Sequence, residues 1–253
     1  TTREIELPRR LANTKARGHE KAMKTNQLKR NDYFSIFLAA VGGVLALFDY
    51  EFFYQNDLKS STVNDLLRSV VLLTTIGLVY TIWNNYQLRF HRECLLHALH
   101  PRSTIYQSHL FWPMIAELFI CSIHCPPGVD VYWSIKQLNL SEPYRYSWCE
   151  ISTIFITMRT YLLFRLYNHL SYWTKTRARR VCAFSSCKSG IGFAFKSDLK
   201  LSPYLVLTLT FGACILIAGW WMIVFERPAQ KPFDNYWNGP WLIIITMTTI
   251  GYG

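Results

Sequence analysis

The sequence predicts an all-α membrane protein: a four-helix bundle of spans, a fifth span, and a short helix that enters the membrane without crossing it. Three observations predict this. The 253 residues are 51% hydrophobic and 16% aromatic, and the apolar residues fall in blocks longer than ordinary core elements. The formal net charge is +11, and Lys and Arg collect between those blocks, as in the cytosolic loops of membrane proteins. The last apolar block, Trp241 to Thr248, is too short to cross, because a crossing needs about 20 apolar residues. It runs into Thr249-Ile-Gly-Tyr-Gly253, and irregular backbone at that depth is tolerated only where it lines a water-filled path.

Other classes fit poorly. Residues 1–32 are polar and basic throughout and do not read as a cleavable leader. The seven cysteines are scattered without a CxxC pair, which points away from a zinc site or a dense disulfide framework. A basic balance can serve nucleic acid, but the positive-inside rule accounts for it here, so no nucleic acid partner is expected. Gln87 to Ser108 is rich in histidine, with His91, His97 and His100 inside it and His109 beside it. It lacks the HxxxH and HxxHH repeats of di-iron membrane enzymes, so no metal site and no enzyme are expected.

Residues 1–32 form a cytosolic basic tail, with Arg9, Arg10, Lys15, Arg17, Lys21, Lys24, Lys29 and Arg30 among its charges. Such a tail fixes topology and also attracts anionic lipid. The first span runs from Tyr33 to about Phe53, with Asp49 and Glu51 near its far end; the second covers roughly Leu66 to Trp83. The loop between them carries one base, Lys59, and suits the outside. The third span, Leu110 to about His124, bears Glu117, and an intramembrane carboxylate needs a cation. The expected partners are Arg159 and Arg165. Cys125-Pro-Pro-Gly128 then ends that helix.

Residues 129–149 form an external loop with a glycosylation sequon at Asn139. Cys125 and Cys149 stand at its two ends, where they can pair or stay reduced. The fourth span is Ile151 to about Tyr172. Its Arg159 and Arg165 stand six positions apart, whereas a dedicated voltage sensor places an arginine at every third position. Residues 173–202 form a cytosolic linker in which bases alternate with aromatic residues, a composition that suits either an acidic protein partner or anionic headgroups. Pro203 opens the fifth span, which runs to about Phe225. Pro240 then opens the short helix, since its missing N–H costs nothing in a first turn. With the N-terminus inside, five crossings put the loop before that helix outside.

The closing run resembles the potassium-channel pore signature. In that family four copies meet on one axis, and their carbonyl oxygens replace the hydration shell of K+. The resemblance makes 240–248 a pore helix, with Trp241, Thr246 and Thr248 as its supports, and makes Thr249, Ile250, Gly251, Tyr252 and Gly253 a selectivity filter. Gly251 and Gly253 can take positive φ and so aim successive carbonyls inward. Thr249 can add its hydroxyl, while Ile250 and Tyr252 brace the filter from behind.

Further segments are similar to the small-conductance calcium-activated potassium channels. They are Lys29-Arg-Asn-Asp-Tyr33 with Asp49-Tyr-Glu51, Glu117-Leu-Phe-Ile-Cys-Ser-Ile-His124, Arg159-Thr-Tyr-Leu-Leu-Phe-Arg165, and Glu226-Arg227 after the Pro203-led helix. This resemblance implies a sensor-like bundle that carries Glu117, Arg159 and Arg165 without strong voltage dependence, and a plasma-membrane homotetramer. It implies gating by Ca2+ through bound calmodulin, which acts on the linker around Trp173, Lys175, Arg177, Arg179, Arg180 and Phe184. No EF-hand loop occurs in the chain, so calcium sensing needs that partner. The chain ends before the aspartate and the sixth span that follow the filter in the family, so an incomplete copy of a longer protein is expected. Two alternatives stand beside this one: a voltage-gated potassium channel subunit, or a non-conducting truncated subunit that modulates full-length channels.

Overall fold

The computed structural model describes residues 2–55, 61–95, 104–129, 131–135, 144–185, 187, 190–228 and 231–251. The basic tail and the first span form one helix, α1 (Thr2–Gln55). Between Gly18 and Gly42 there is no Gly or Pro, and Lys, Gln, Met, Leu and Ala favour continued helix. Helix α2 (Thr62–Leu95) likewise continues past the predicted 66–83, carrying the start of the histidine-rich stretch with it. The two helices run antiparallel. Asn31 donates to the Thr81 carbonyl at 2.8 Å, while at the opposite end Arg68 meets Asp49 at 3.2 Å.

Helix α3 (Phe111–Ser122) lies against α2. Met114 and Cys121 enter a core with Ala39, Leu78, Ile82, Tyr86 and Leu162. Strands β1 (Tyr132–Ile135) and β2 (Tyr144–Ser147) pair antiparallel with Trp133 opposite Tyr146, a short hairpin in a mostly helical fold. Aromatic and β-branched residues favour extended chain within the predicted external loop. Asn139 lies outside the described residues. Cys125 and Cys149 are bonded, with a Cα–Cα distance of 5.0 Å, so the hairpin leaves and returns at one point.

Helix α4 (Trp148–Met158) opens on a capping box: Ser147 accepts from the Cys149 N–H, and the Glu150 carboxylate accepts from the Ser147 N–H at 2.8 Å. A 3-10 turn, Arg159–Tyr161, joins it to α5 (Leu162–Leu170). The predicted linker is itself helical, as α6 (Thr176–Phe184) and α7 (Ile191–Leu201). Helix α8 (Pro203–Glu226) has Pro203 in its first turn, and α9 (Asn238–Met247) packs on it.

Among the described residues, three helices are long and apolar enough to cross a membrane: Gly18–Gln55 within α1, α2, and α8. Helix α8 has 24 residues. That length gives about 36 Å of helix against a hydrocarbon core of about 30 Å. The predicted third span corresponds to α3, and the fourth to α4 and α5 with the 3-10 turn between them.

Candidate functional site

The pore-like segment is built on glycine. Gly239, in the first turn of α9, sits where a Cβ would lie 2.5 Å from the Gly219 carbonyl and 2.7 Å from Ile223 Cγ1. A Cβ on Gly219 would in turn meet the Pro240 nitrogen at 2.9 Å. Backbone therefore packs on backbone, and α9 is fixed to α8 at its N-terminal end. Helix α9 has only ten residues, and its negative C-terminal end leads into Thr249.

The helix closes with the Ile250 N–H on the Ile245 carbonyl and the Thr249 N–H on the Thr246 carbonyl, both at 3.2 Å. These paired bonds form a Schellman motif, whose penultimate residue takes the left-handed conformation. That residue is Thr249, at φ 57°; Gly251, which can take positive φ, does not do so here. The cause is local: the last carbonyls of α9 need donors, and the chain must reverse at Thr249 to supply them. A β-branched residue there is strained. Thr246 and Thr248 turn their hydroxyls onto the carbonyls of Leu242 and Ile244, at 2.7 and 2.8 Å. Trp241 and Ile250 are exposed, and Tyr252 and Gly253 lie outside the described residues.

Two charge networks tie the bundle together. In the first, Arg165 donates to Glu117 Oε2 at 2.6 Å and also to Oε1, which Tyr161 shares; Tyr86 donates to Oε2 at 2.8 Å. Asp32 joins from α1. Its carboxylate lies 3.6 Å from Arg165 Nη1, 2.8 Å from His169 Nε2 and 2.9 Å from Asn85 Nδ2. Glu117 and Arg165 thus pair as the sequence predicts. Arg159 does not join them. It is 2% exposed, and its Nη2 donates to the carbonyls of Cys121 and Ile123 and to Thr75 Oγ1, at 3.0, 3.1 and 3.1 Å. Helix α3 ends early, before Cys125-Pro-Pro-Gly128, and its unpaired carbonyls take the guanidinium that the sequence reading gave to Glu117.

The second network joins the far end of α1 to the loop between α8 and α9. Arg227, 5% exposed, donates to both oxygens of Glu51 at 2.9 and 3.3 Å and lies 3.7 Å over the Tyr54 ring. Tyr236 donates to the same carboxylate and stacks on Trp220, with ring centres 5.9 Å apart. Burial first, then the Glu51 carboxylate, pushes the Tyr236 hydroxyl up to about 12, so it remains a donor near neutral pH. Sequence reading used Glu51 and Arg227 only as points of resemblance. Their opposite charges were visible, but their 176-residue separation gave no sign of contact.

In the linker, Trp173 donates its indole N–H to Asp198 at 2.8 Å and sets its ring edge-on to Phe193. It serves the junction of α5 and α7 rather than a free surface. Lys175, Arg177 and Arg180 are exposed, and Phe184 is 92% exposed on α6. Arg179 lies in the same helix. Among the described residues, no three His, Cys, Asp or Glu side chains converge as a metal cage.

Residues 17–132 match the family model described as calcium-activated SK potassium channel. Over 208 residues the chain is 25% identical to the small conductance calcium-activated potassium channel protein of Drosophila melanogaster. That match covers 77% of this chain and 22% of the relative, so the chain spans under a quarter of the relative's length. The family match runs from within α1 to the first residue of β1 and stops well before α9, so the closing motif is a separate observation.

Proposed function

We propose, on the premise that residues 17–132 belong to the calcium-activated SK potassium channel family, that the chain is a subunit of a potassium-selective channel. The observation that carries this reading is α9: a helix too short to cross, held by Gly219 and Gly239, with Thr249-Ile-Gly following its negative end. Four copies around an axis would present filter carbonyls to dehydrated K+ in place of water. In that assembly Thr249 leaves its left-handed conformation, and the Thr249 and Ile250 N–H groups that now cap the α9 carbonyls are released. Exposed Leu205, Leu209, Leu216 and Trp241 on α8 and α9 supply apolar surface for neighbouring copies and lipid, which supports a homotetramer.

Gating by Ca2+ through calmodulin rests on the family premise and on α6. Its exposed Arg177, Arg180, Val181 and Phe184 suit an acidic partner with an apolar groove. Weak voltage dependence follows from the arginines. Each charge that crosses the field supplies about 2.3 kcal/mol per 100 mV. Arg165 is held by two carboxylates and Arg159 by carbonyls, so neither is released to move. The basic tail before the first span supports a cytosolic N-terminus in a multi-pass plasma-membrane protein.

Patch recording from cells that express the intact gene product containing this chain tests the reading. Potassium current should appear with cytosolic Ca2+, vanish on its removal, and be suppressed by a calmodulin that cannot bind Ca2+. Current that persists without Ca2+ but rises steeply with depolarisation would favour a voltage-gated channel instead.

A further inference from the structure

At the basic end of the α1–α2 pair lies an open cavity of about 470 Å³, lined by Gln27, Arg30, Asn31, Phe34, Asn84 and Leu88. That size lies within the ~300–1,000 Å³ of ordinary ligand sites. The lining residues of α1 stand three and four apart, so they form one face of the helix. Arg30 is exposed and has no acidic partner among the described residues. Gln27 and Asn84 make no side-chain hydrogen bond among them either. Asn31, by contrast, uses its amide on Thr81 and Asn85, which fixes the cavity floor.

Position limits what can occupy this space. Tyr33, Phe34, Tyr80 and Trp83 are all exposed at this level, an aromatic belt of the kind that marks the boundary between headgroups and acyl chains. Lys21 and Lys29 lie on the same stretch of α1 and raise the local positive potential. The cavity therefore offers a guanidinium fork and two amides beside apolar Phe34 and Leu88. We propose that it binds the phosphorylated headgroup of an anionic membrane lipid. Arg30 grips the phosphate, Gln27 and Asn84 donate to its remaining oxygens, and Phe34 with Leu88 borders the first acyl carbons. This site rests on the reading of α1 and α2 as membrane spans, but not on conduction.

Native mass spectrometry of the full chain in neutral detergent, titrated with phosphatidylinositol 4,5-bisphosphate, tests it without recording current. A charge-assisted contact of this kind is worth about tenfold or more in affinity, so Arg30→Gln should weaken binding by at least that factor. Lys29→Gln removes the same charge from a neighbouring position outside the cavity, and should weaken binding by less than about threefold if only the diffuse potential changes. Asn84→Leu, on the other helix, should act in the same direction as Arg30→Gln, and it tests the cavity independently should the arginine variant prove unstable. Soluble inositol trisphosphate should bind more weakly than the lipid, because it leaves Phe34 and Leu88 uncovered. Equal losses for Arg30→Gln and Lys29→Gln, or equal affinity for lipid and soluble headgroup, would overturn the assignment.

Discussion

A carboxylate among apolar helices must be paired where it stands, and Glu117 meets that need with Arg165, Tyr86 and Tyr161. Breaking a buried pair by removing one partner costs about 3–5 kcal/mol, and Glu117→Gln should approach the lower end because Asp32 still faces Arg165. A double-mutant cycle separates the two arginines. Glu117 and Arg165 should couple by more than about 1 kcal/mol, whereas Glu117 and Arg159 should show less than about 0.5 kcal/mol in thermal unfolding. The need for a counter-charge was legible in the sequence, and so was Arg165. The role of Arg159 was not, because its partners are backbone carbonyls that no residue type announces. Thr249 makes the same point, since its positive φ follows from the cap of α9 and not from its own preference.

Helix α9 and the loop before it are held by close backbone approach and by the Glu51–Arg227 contact. Gly219→Ala sets a methyl 2.9 to 3.0 Å from Pro240 backbone atoms, which cannot swing aside. Overpacking of this kind typically costs about 1–3 kcal/mol, and the variant should lose both thermal stability and potassium current. The second contact holds the loop before α9. Glu51→Gln leaves the buried Arg227 with the more distant Asp234 carboxylate at 3.5 Å, which should cost about 1–3 kcal/mol and shift the loop toward proteolysis in limited digestion. The Tyr236 contribution has its own pH window. Its hydroxyl sits above the ordinary tyrosine value of about 10, so its support is complete below that pH and fades as pH rises toward about 12. Tyr236→Phe should abolish that alkaline loss. Helix α9 was legible from Pro240 and the short apolar run, and α8 from its length. The hairpin β1–β2 was not, because its aromatic residues read equally well as an irregular external loop.

Across the molecule, α1 is the common wall: it packs on α2, α4 and α5, and through Glu51 it reaches the loop that leads to α9. Sequence blocks indicate a membrane protein because apolar content survives any local bend. They do not reveal which block stays one helix. Among the described residues three helices are long enough to cross, while α3 stops at Ser122 and the fourth block turns at Arg159–Tyr161. The most direct test of the whole account is ion selectivity. With K+ on one face of a patch and Na+ on the other, current through the intact gene product should reverse at a potential set by K+ alone, and Gly251→Ala should erase that preference or the current itself. A reversal potential that treats Na+ and K+ alike in the unaltered protein would contradict it.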